Sequence, residues 1–588
     1  MKYFRTTIGI CLALTISAFT TSFANAAADV ADYIYTNANV RTMSDAQPRA
    51  EAVAIKDNKI VFVGSAVEAK AFAGPKTQVT DLKGQTVLPG FVSTHDHLIA
   101  SQWTTLGVQL YDATDKADAL AKIKAYAEAN PNNKVITGIG WDKNMLEGLP
   151  VATDLDKAVA DRPAIILDNT IHDAWLNTAA LKAANITKDT KDAVPGVTYW
   201  ERDEEGNPTG AAIEIQWFQA YIDMGAWDPD SMIPESAEYL LNLAASNGTT
   251  LVLVPGIITP NIKDVHGGME RDFETAMDIL QDWANKDKLP LRVQAQPFFK
   301  TPVGDPQRFV DFGERMSKKF NSDLLRTRSL KIHPEGNTVA GTAPFIDPYK
   351  NQPDHRGAFN VQPETTMAIV TKAAKVGLDV FIHTDGDRSS RAAVDAILAA
   401  RKIDADNRSA LHHAIWVHPD DQKRIIDNKI PINSTPSFTN TFGGGKLDNE
   451  RMIGYPRIDT SLGRYAHFAR NGVKVGISAD VPSTSPEMQG PLFVLDGATT
   501  GLDISTPDNK EVFPPNWKPM TVHEAMRAIT IDAAWMLKMD DKVGSLEVGK
   551  YADLVVLASD PYEAKLGTAH QIPVLKTIMN GRITHQAK

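Results

Sequence analysis

A single cysteine, Cys11, is all the thiol chemistry this sequence carries. It lies in an N-terminal segment that reads as removable, so the processed chain is expected to have no disulfide, no thiolate nucleophile and no cysteine metal ligand. Its place in the middle of an apolar run, without small residues just before it, also argues against a lipoprotein anchor. Positive charge is scarce as well: 61 Lys and Arg against 72 Asp and Glu give a net charge of −11. That balance argues against broad nucleic-acid or anionic-membrane binding, which would require a basic face. Beyond the first segment there is no run of 18 or more apolar residues, so no membrane span is expected. The nucleophile elbow Gly-x-Ser-x-Gly, the phosphate loop Gly-x-x-x-x-Gly-Lys-Ser/Thr and a strand-borne Gly-x-Gly-x-x-Gly are missing too. Gly443-Gly444-Gly445 reads as a flexible loop, and no internal repeat or low-complexity segment is found.

What is present begins with an export signal over residues 1–26. Lys2 and Arg5 open it, Ile8 to Phe19 is apolar apart from small polar residues, and Ala24-Asn25-Ala26 supplies the small-x-small cleavage pattern. The expected destination is the periplasm or the medium, and removal of Lys2 and Arg5 takes the charge from −11 to −13. An exported chain without disulfides must rely on a large core, which 588 residues at 43% hydrophobic content permit.

The ends of the chain are β-rich. Tyr33-Ile34-Tyr35, Ala52–Ile55 and Ile60–Val63 read as strands, with Lys56–Lys59 as a turn; Ala552–Leu557 and Thr577–Gly581 read as strand and turn near the C-terminus. Residues 27–88 and 544–588 are therefore expected to fold together as a composite β-sandwich. Between them, residues 89–543 alternate strands and helices, the pattern of a parallel α/β barrel. Eight strands can be marked: Thr86–His95, Thr249–Val254, Leu291–Pro297, Ser329–His333, Leu378–His383, Ala410–His413, Ile430–Ser434 and Val473–Asp480. Phe273–Asn285 and Glu364–Val376 are among the helices between them. The first gap is too long for one crossover, so an inserted lid subdomain is expected at about residues 110–235. In it Ala164–Leu167 reads as a strand, Ala174–Ala184 as a helix and Glu201–Gly210 as a charged hairpin turn.

Chemistry-bearing residues fall at the strand ends. His95 and His97 close the first, Lys331 lies on the fourth, His383 and His413 end the fifth and sixth, and Asp480 ends the eighth. The carboxyl ends of barrel strands converge on one face, where catalytic groups gather. A His-x-His in extended chain points both imidazoles the same way, so the two can grip one ion. On the sixth strand the choice lies among His412, His413 and His418, and alternation favours His413. Asp480 also fits a helix N-cap, though its position at an apolar strand end suits a catalytic carboxylate. Lys331 read by itself is a buried ion-pair partner.

These residues resemble the amidohydrolase superfamily, in its amidohydrolase-3 or YtcJ-like branch, which includes N-substituted formamide deformylases. The resemblance rests on Val87–Val92 leading into His95-Asp96-His97, Gly140-Trp141-Asp142 and His172–Asn177. It continues through Pro208-Thr209-Gly210 with Glu214, Leu330-Lys331 with Glu335-Gly336 and Thr342-Ala343, Ser478–Pro482, and Gly544–Asp553. It implies a (β/α)₈ barrel with a composite β-sandwich and one or two divalent ions, zinc as a rule. By carry-over, His95, His97 and Asp480 hold one ion, His383 and His413 the other, and a carboxylated Lys331 bridges them. The family pattern also favours His413 on the sixth strand. His412 stands where an acid often precedes that histidine, and Glu335 where an aspartate is usual.

The expected reaction is hydrolysis of a non-peptide C–N bond in a linear amide, formamide or N-acyl compound, with Asp480 as the proton-transfer residue. His172, Trp141 and Asp142 are candidate substrate contacts, although a Trp and a His there could equally pack the lid. The same site could act on a cyclic amide, a dipeptide or an ester, and a non-catalytic exported regulatory or binding protein is the rival from another class. The expected partner is a small molecule, with no nucleic acid and no membrane after processing; a homodimer is compatible with all of this. Sequencing the N-terminus of the exported protein tests the first element: the chain is expected to begin at Ala27, and retention of Met1 would refute it.

Overall fold

The computed structural model describes residues 30–99, 105–257, 259, 265–440, 445–481, 490–504 and 511–588. The export signal expected over residues 1–26, Gly443, Gly444 and Pro482 lie outside the described residues.

Eight parallel strands form the barrel: β1 (Phe91–Ser93), β2 (Thr249–Val254), β3 (Arg292–Ala295), β4 (Ser329–Ile332), β5 (Asp379–His383), β6 (Ala410–His412), β7 (Ile432–Ser434) and β8 (Val475–Ile477). β1, β2 and β3 pair in order, as do β4 to β8. Between β3 and β4 the ladder steps sideways: β3 pairs with Leu325–Arg326, while Phe298–Phe299 pairs with β4. Between β8 and β1 closure comes just past the strand ends, where Asp480 N–H donates to the His95 carbonyl (3.1 Å) and His97 N–H to that of Val481 (2.9 Å).

Alternation divides each strand between two environments. Val92, Leu251, Leu253, Phe381 and Ala410 face inward and pack with Ala533, Ala534 and Met536 of the helix Ile531–Met536. Their neighbours Leu330, Ile332, Val380, Ile382 and Leu411 face outward, onto Ile369, Val370, Val394 and Ile397 of the surrounding helices. Those helices run Pro363–Lys375 and Asp387–Arg401, and Glu270–Asn285 starts one turn ahead of the expected Phe273. No helix among the described residues is long and apolar enough to cross a membrane.

The expected strand Thr86–His95 is two strands in two sheets. Thr86–Pro89 pairs antiparallel with Leu554–Leu557 in a six-stranded sheet drawn from both ends of the chain, and only Phe91–Ser93 belongs to the barrel. Gly90 is the crossing point, because a Cβ there would sit 2.2 Å from Thr250 Oγ1. The same sheet contains Val574–Met579 and a further strand, Arg582–Gln586, beyond the turn at Asn580-Gly581. A four-stranded sheet, including the hairpin Ala52–Lys56 and Lys59–Gly64, lies alongside it in sequence.

The insertion carries its own six-stranded sheet, from Val108–Gln109 to Pro208–Ile213. The helix expected over Ala174–Ala184 is instead a buried strand, Ala174–Leu176, followed by a helix over Thr178–Ala183. Asn177 makes the switch: its side-chain oxygen accepts from Ala180 N–H at the helix start and from Ala164 N–H on the neighbouring strand.

One ion pair ties the barrel to the terminal sheet. Arg292, on β3, meets Asp553 through Nε–Oδ2 (2.6 Å) and Nη2–Oδ1 (2.9 Å), reaches Asn580 (3.0 Å) and lies over the Tyr551 ring. Both side chains are 1% exposed. Removing one partner of such a pair strands a buried charge, so Asp553→Ala is expected to lose about 3–5 kcal/mol. Chemical denaturation checks this, with Asp189→Ala, in an exposed turn, as the neutral control.

Candidate metal centre

The polar groups at the carboxyl ends of β1, β4, β5, β6 and β8 come together because the backbone bends them inward. His413 and Asp480 both have left-handed backbone (φ +66° and +60°), as does Ala414 (φ +46°). Such a conformation costs of order 1–3 kcal/mol for a residue with a side chain. The seam hydrogen bonds hold Asp480 in place. On β6, alternation points Ala410 and His412 inward, so the expectation that alternation favours His413 is corrected. His413 reaches the interior through its left-handed turn, and the two histidines enter side by side.

The Asp480 carboxylate lies among three imidazoles. Its Oδ1 is 3.3 Å from His95 Nε2 and 3.5 Å from His97 Nε2, and its Oδ2 is 3.8 Å from His413 Nε2. The far nitrogens are engaged behind the site: His97 Nδ1 with the Gly256 carbonyl (3.1 Å), His413 Nδ1 with Thr435 Oγ1 (3.1 Å), His95 Nδ1 with His412 Nδ1. Asp96, between the first two histidines, points away and accepts from Ser93 Oγ and Val481 N–H, bracing the loop. Burial pushes its carboxyl up to about 6.

His383 lies 4.8 Å from His413 by ring centroids and stacks on His333 at 3.7 Å and 19°. Lys331 is 1% exposed. Neither Lys331 Nζ nor His383 Nε2 has a hydrogen-bond partner among the described residues. Burial pulls the Lys331 amine down to about 7, with Asp480 opposing and Lys300 assisting. Burial, together with the cationic neighbour Lys331, also holds His95, His383, His412 and His413 well below the usual imidazole range, and His97 at about 3. The cluster is thus neutral imidazole around one carboxylate, the protonation state that metal ligation needs.

His172 arrives from the insertion. Its Nδ1 donates to Glu214 Oε2 at 2.6 Å, which leaves Nε2 directed elsewhere, and its ring lies 5.5 Å from that of His333. Glu214 is fully buried; its other oxygen accepts from Thr342 Oγ1 (2.8 Å), and Lys300 Nζ is 4.0 Å away. Burial pushes Glu214 up, but His172, Lys300 and Thr342 outweigh it and keep the carboxyl below its ordinary value. Ile171 (φ +64°) and Glu214 (φ +56°) are both left-handed, so this pair too is set by backbone geometry. Gly336 leaves the space: a Cβ there would lie 2.0 Å from Thr342 Oγ1 and 2.3 Å from Glu214 Oε1.

The other two substrate candidates have local tasks. Trp141 is fully buried in the core of the inserted sheet, its indole N–H bonded to the Ile166 carbonyl (2.8 Å), and offers no face to a ligand. Asp142 accepts from Asn144 N–H and Met145 N–H (both 2.8 Å) and closes a turn. Glu335, where an aspartate is usual, is fully buried and accepts from the Asp385 and Gly386 amides leading into the helix Asp387–Arg401. The residues that sequence reasoning left out of the site are His412, His333 and Lys300. A strict count of two along β4 and β6 would have found His333, two on from Lys331, and His412, two on from Ala410.

The donor set fits a divalent ion. Ligand atoms of His95, His413 and Asp480 lie within 4.8 Å of one another. Nitrogen and carboxylate oxygen donors are those zinc accepts, and the unpartnered Lys331 amine and His383 nitrogen stand beside them.

Comparison with known proteins agrees with this geometry. The model for the amidohydrolase family matches residues 78–585. The chain is 26% identical to the exoenzymes regulatory protein AepA of Pectobacterium carotovorum subsp. carotovorum, over 69% of this chain and 85% of that one. It is 25% identical to an N-substituted formamide deformylase of Arthrobacter pascens, over 94% and 98%. Among solved structures, an uncharacterised metal-dependent hydrolase from Pyrococcus horikoshii OT3 superposes with a TM-score of 0.68 at 21% identity, covering 91% of this chain and 99% of that one.

Zinc titration against a competing chelator tests the centre. His95→Ala and Asp480→Asn are each expected to lower affinity by more than the about 10–100-fold that loss of a supporting hydrogen bond costs. Asp142→Asn is expected to leave it unchanged.

Proposed function

The chain belongs to the amidohydrolase family, and from that premise we propose that it hydrolyses a linear amide, a formamide or an N-acyl compound. It is a metal-dependent hydrolase of non-peptide C–N bonds by family and by donor set; the finer substrate class is our reading. The observation that carries it is the carboxylate of Asp480 held between three neutral imidazoles at 3.3–3.8 Å. His95, His97, His413 and Asp480 would hold one ion, and His383 with Lys331 a second. When bound, such an ion supplies Lewis acidity, bringing the pKa of water toward ~7 and polarising a carbonyl.

The side chains account for the remaining steps. Asp480 accepts the proton of the attacking water and returns it to the leaving amine, a role worth about 10²–10⁴ in rate. His172, its Nδ1 fixed by Glu214, presents Nε2 to the substrate and orients it. Lys331, with its amine drawn down to about 7, can attack carbon dioxide in its neutral form and lose a proton, giving a carbamate anion in place of an unpartnered amine. The similarity to a formamide deformylase over almost its whole length favours formamides and N-acyl compounds among the possible amides. The similarity to a protein named as a regulator supports a non-catalytic reading less well, since His95, His413 and Asp480 keep their ligand atoms within 4.8 Å of one another.

The test uses the zinc-loaded processed chain on formamides, N-acyl amino acids, dipeptides and lactams. Turnover of formamides or N-acyl compounds is expected, with Asp480→Asn lowering kcat by about 10²–10⁴. Hydrolysis confined to lactams or dipeptides, or an Asp480→Asn variant of full activity, would overturn the proposal.

A further inference from the structure

His412 is fully buried, points into the barrel from β6 and has no part in the chemistry described above. Its Nδ1 hydrogen-bonds His95 Nδ1, and the two rings lie 4.6 Å apart by centroids. On the opposite edge of His95, Nε2 faces Asp480 Oδ1. A neutral imidazole has one N–H and one lone pair, and the hydrogen bond made by one nitrogen decides which role the other takes. The pair therefore has two arrangements. In the first, His412 Nδ1–H donates to His95 Nδ1, and His95 Nε2–H donates to Asp480. In the second, His95 Nδ1–H donates to His412 Nδ1, and the lone pair of His95 Nε2 faces the site. The two arrangements hold the same number of N–H protons, but only one of them passes directly across the Nδ1–Nδ1 bond; the other must leave His95 Nε2 and reach His412 Nε2 through a carrier such as water.

Only the second arrangement offers His95 Nε2 to a cation. It places the proton of His412 on Nε2, which has no hydrogen-bond partner among the described residues and stands beside the Phe381 ring, 4.7 Å between centroids. Binding must therefore work against an unmade buried donor.

We propose that His412 is a positioning residue of the metal centre, accepting from His95 Nδ1 and so fixing His95 in the tautomer that binds the ion. The proposal rests on the metal-centre reading above. It assigns to an imidazole the supporting task that a carboxylate, carbonyl or water commonly performs behind a metal-bound histidine. It also gives a physical role to the position at which this chain carries histidine in place of the acid its family resemblance leads one to expect.

The experiment is zinc affinity by chelator competition on the full processed chain, for the parent protein, His412→Asn and His412→Phe, with folding of each followed by circular dichroism. Asparagine keeps an acceptor near the position of Nδ1; phenylalanine keeps the ring and removes the acceptor. His412→Phe is expected to bind zinc about 10–100-fold more weakly, and His412→Asn within about threefold of the parent, since it preserves the hydrogen bond. Equal affinity for all three would overturn the proposal, because His95 would then need no partner. Equal loss in both variants would overturn it too, by making His412 a ligand of the ion. If the parent bound no zinc, the metal-centre reading itself would fail, separately from the role of His412.

Discussion

Two peptide hydrogen bonds between the segments following β8 and β1 govern the rest of the site. Asp480 N–H to the His95 carbonyl and His97 N–H to that of Val481 close the barrel where its strands have already ended. They also place two histidines and one aspartate, 385 positions apart by the Asp96–Val481 contact, on one small patch. Side-chain chemistry here is a consequence of main-chain pairing. The left-handed backbone at Asp480 and His413 is tolerated because the surrounding contacts leave little alternative, which is how strained residues persist at functional sites.

The same logic extends to the inserted sheet. Its contribution is one imidazole, delivered on a left-handed turn and held by a carboxylate that the loop after β4 buries. Gly336 matters because it leaves room for Glu214, and Glu214 matters because it determines which edge of His172 is turned outward. A glycine on one loop and a histidine on the lid are thereby parts of one device.

Much of this was legible in the sequence where period and burial agree. The strands Thr249–Val254 and Asp379–His383 stand within a residue of expectation, because each is built on a short apolar run, Leu251–Val254 and Val380–Ile382, buried in the barrel wall. The run from Thr86 onward misled because it is equally apolar in two sheets; only the close approach of Gly90 to Thr250, a contact across the fold, reveals the crossing. Ala174–Ala184 misled because alanine and leucine favour helix, whereas pairing with Ile165–Leu167 decides for strand at its start. In the site, strand-end histidines were visible, but the entry of His413 beside His412 depends on a positive φ at His413 that residue identity does not announce. Trp141 and Asp142 stand as candidates through the Gly140-Trp141-Asp142 string of the resemblance, whereas their hydrogen bonds go to the neighbouring strand and to a local turn.

The strand Thr86–Pro89 has a consequence for how the molecule is made. It feeds directly into β1, yet its antiparallel partner is Leu554–Leu557, near the opposite end of the chain. On its other flank it pairs with Asn39–Arg41, close in sequence, so one edge can be covered locally and the other only by a pairing across most of the chain. Pairing across so long an interval is entropically slow, and large chains of this kind tend to expose apolar strands while they wait. The strand leading into β1 therefore keeps one edge open until that distant partner reaches it, so the footing of the hydrolytic centre is completed by a long-range pairing.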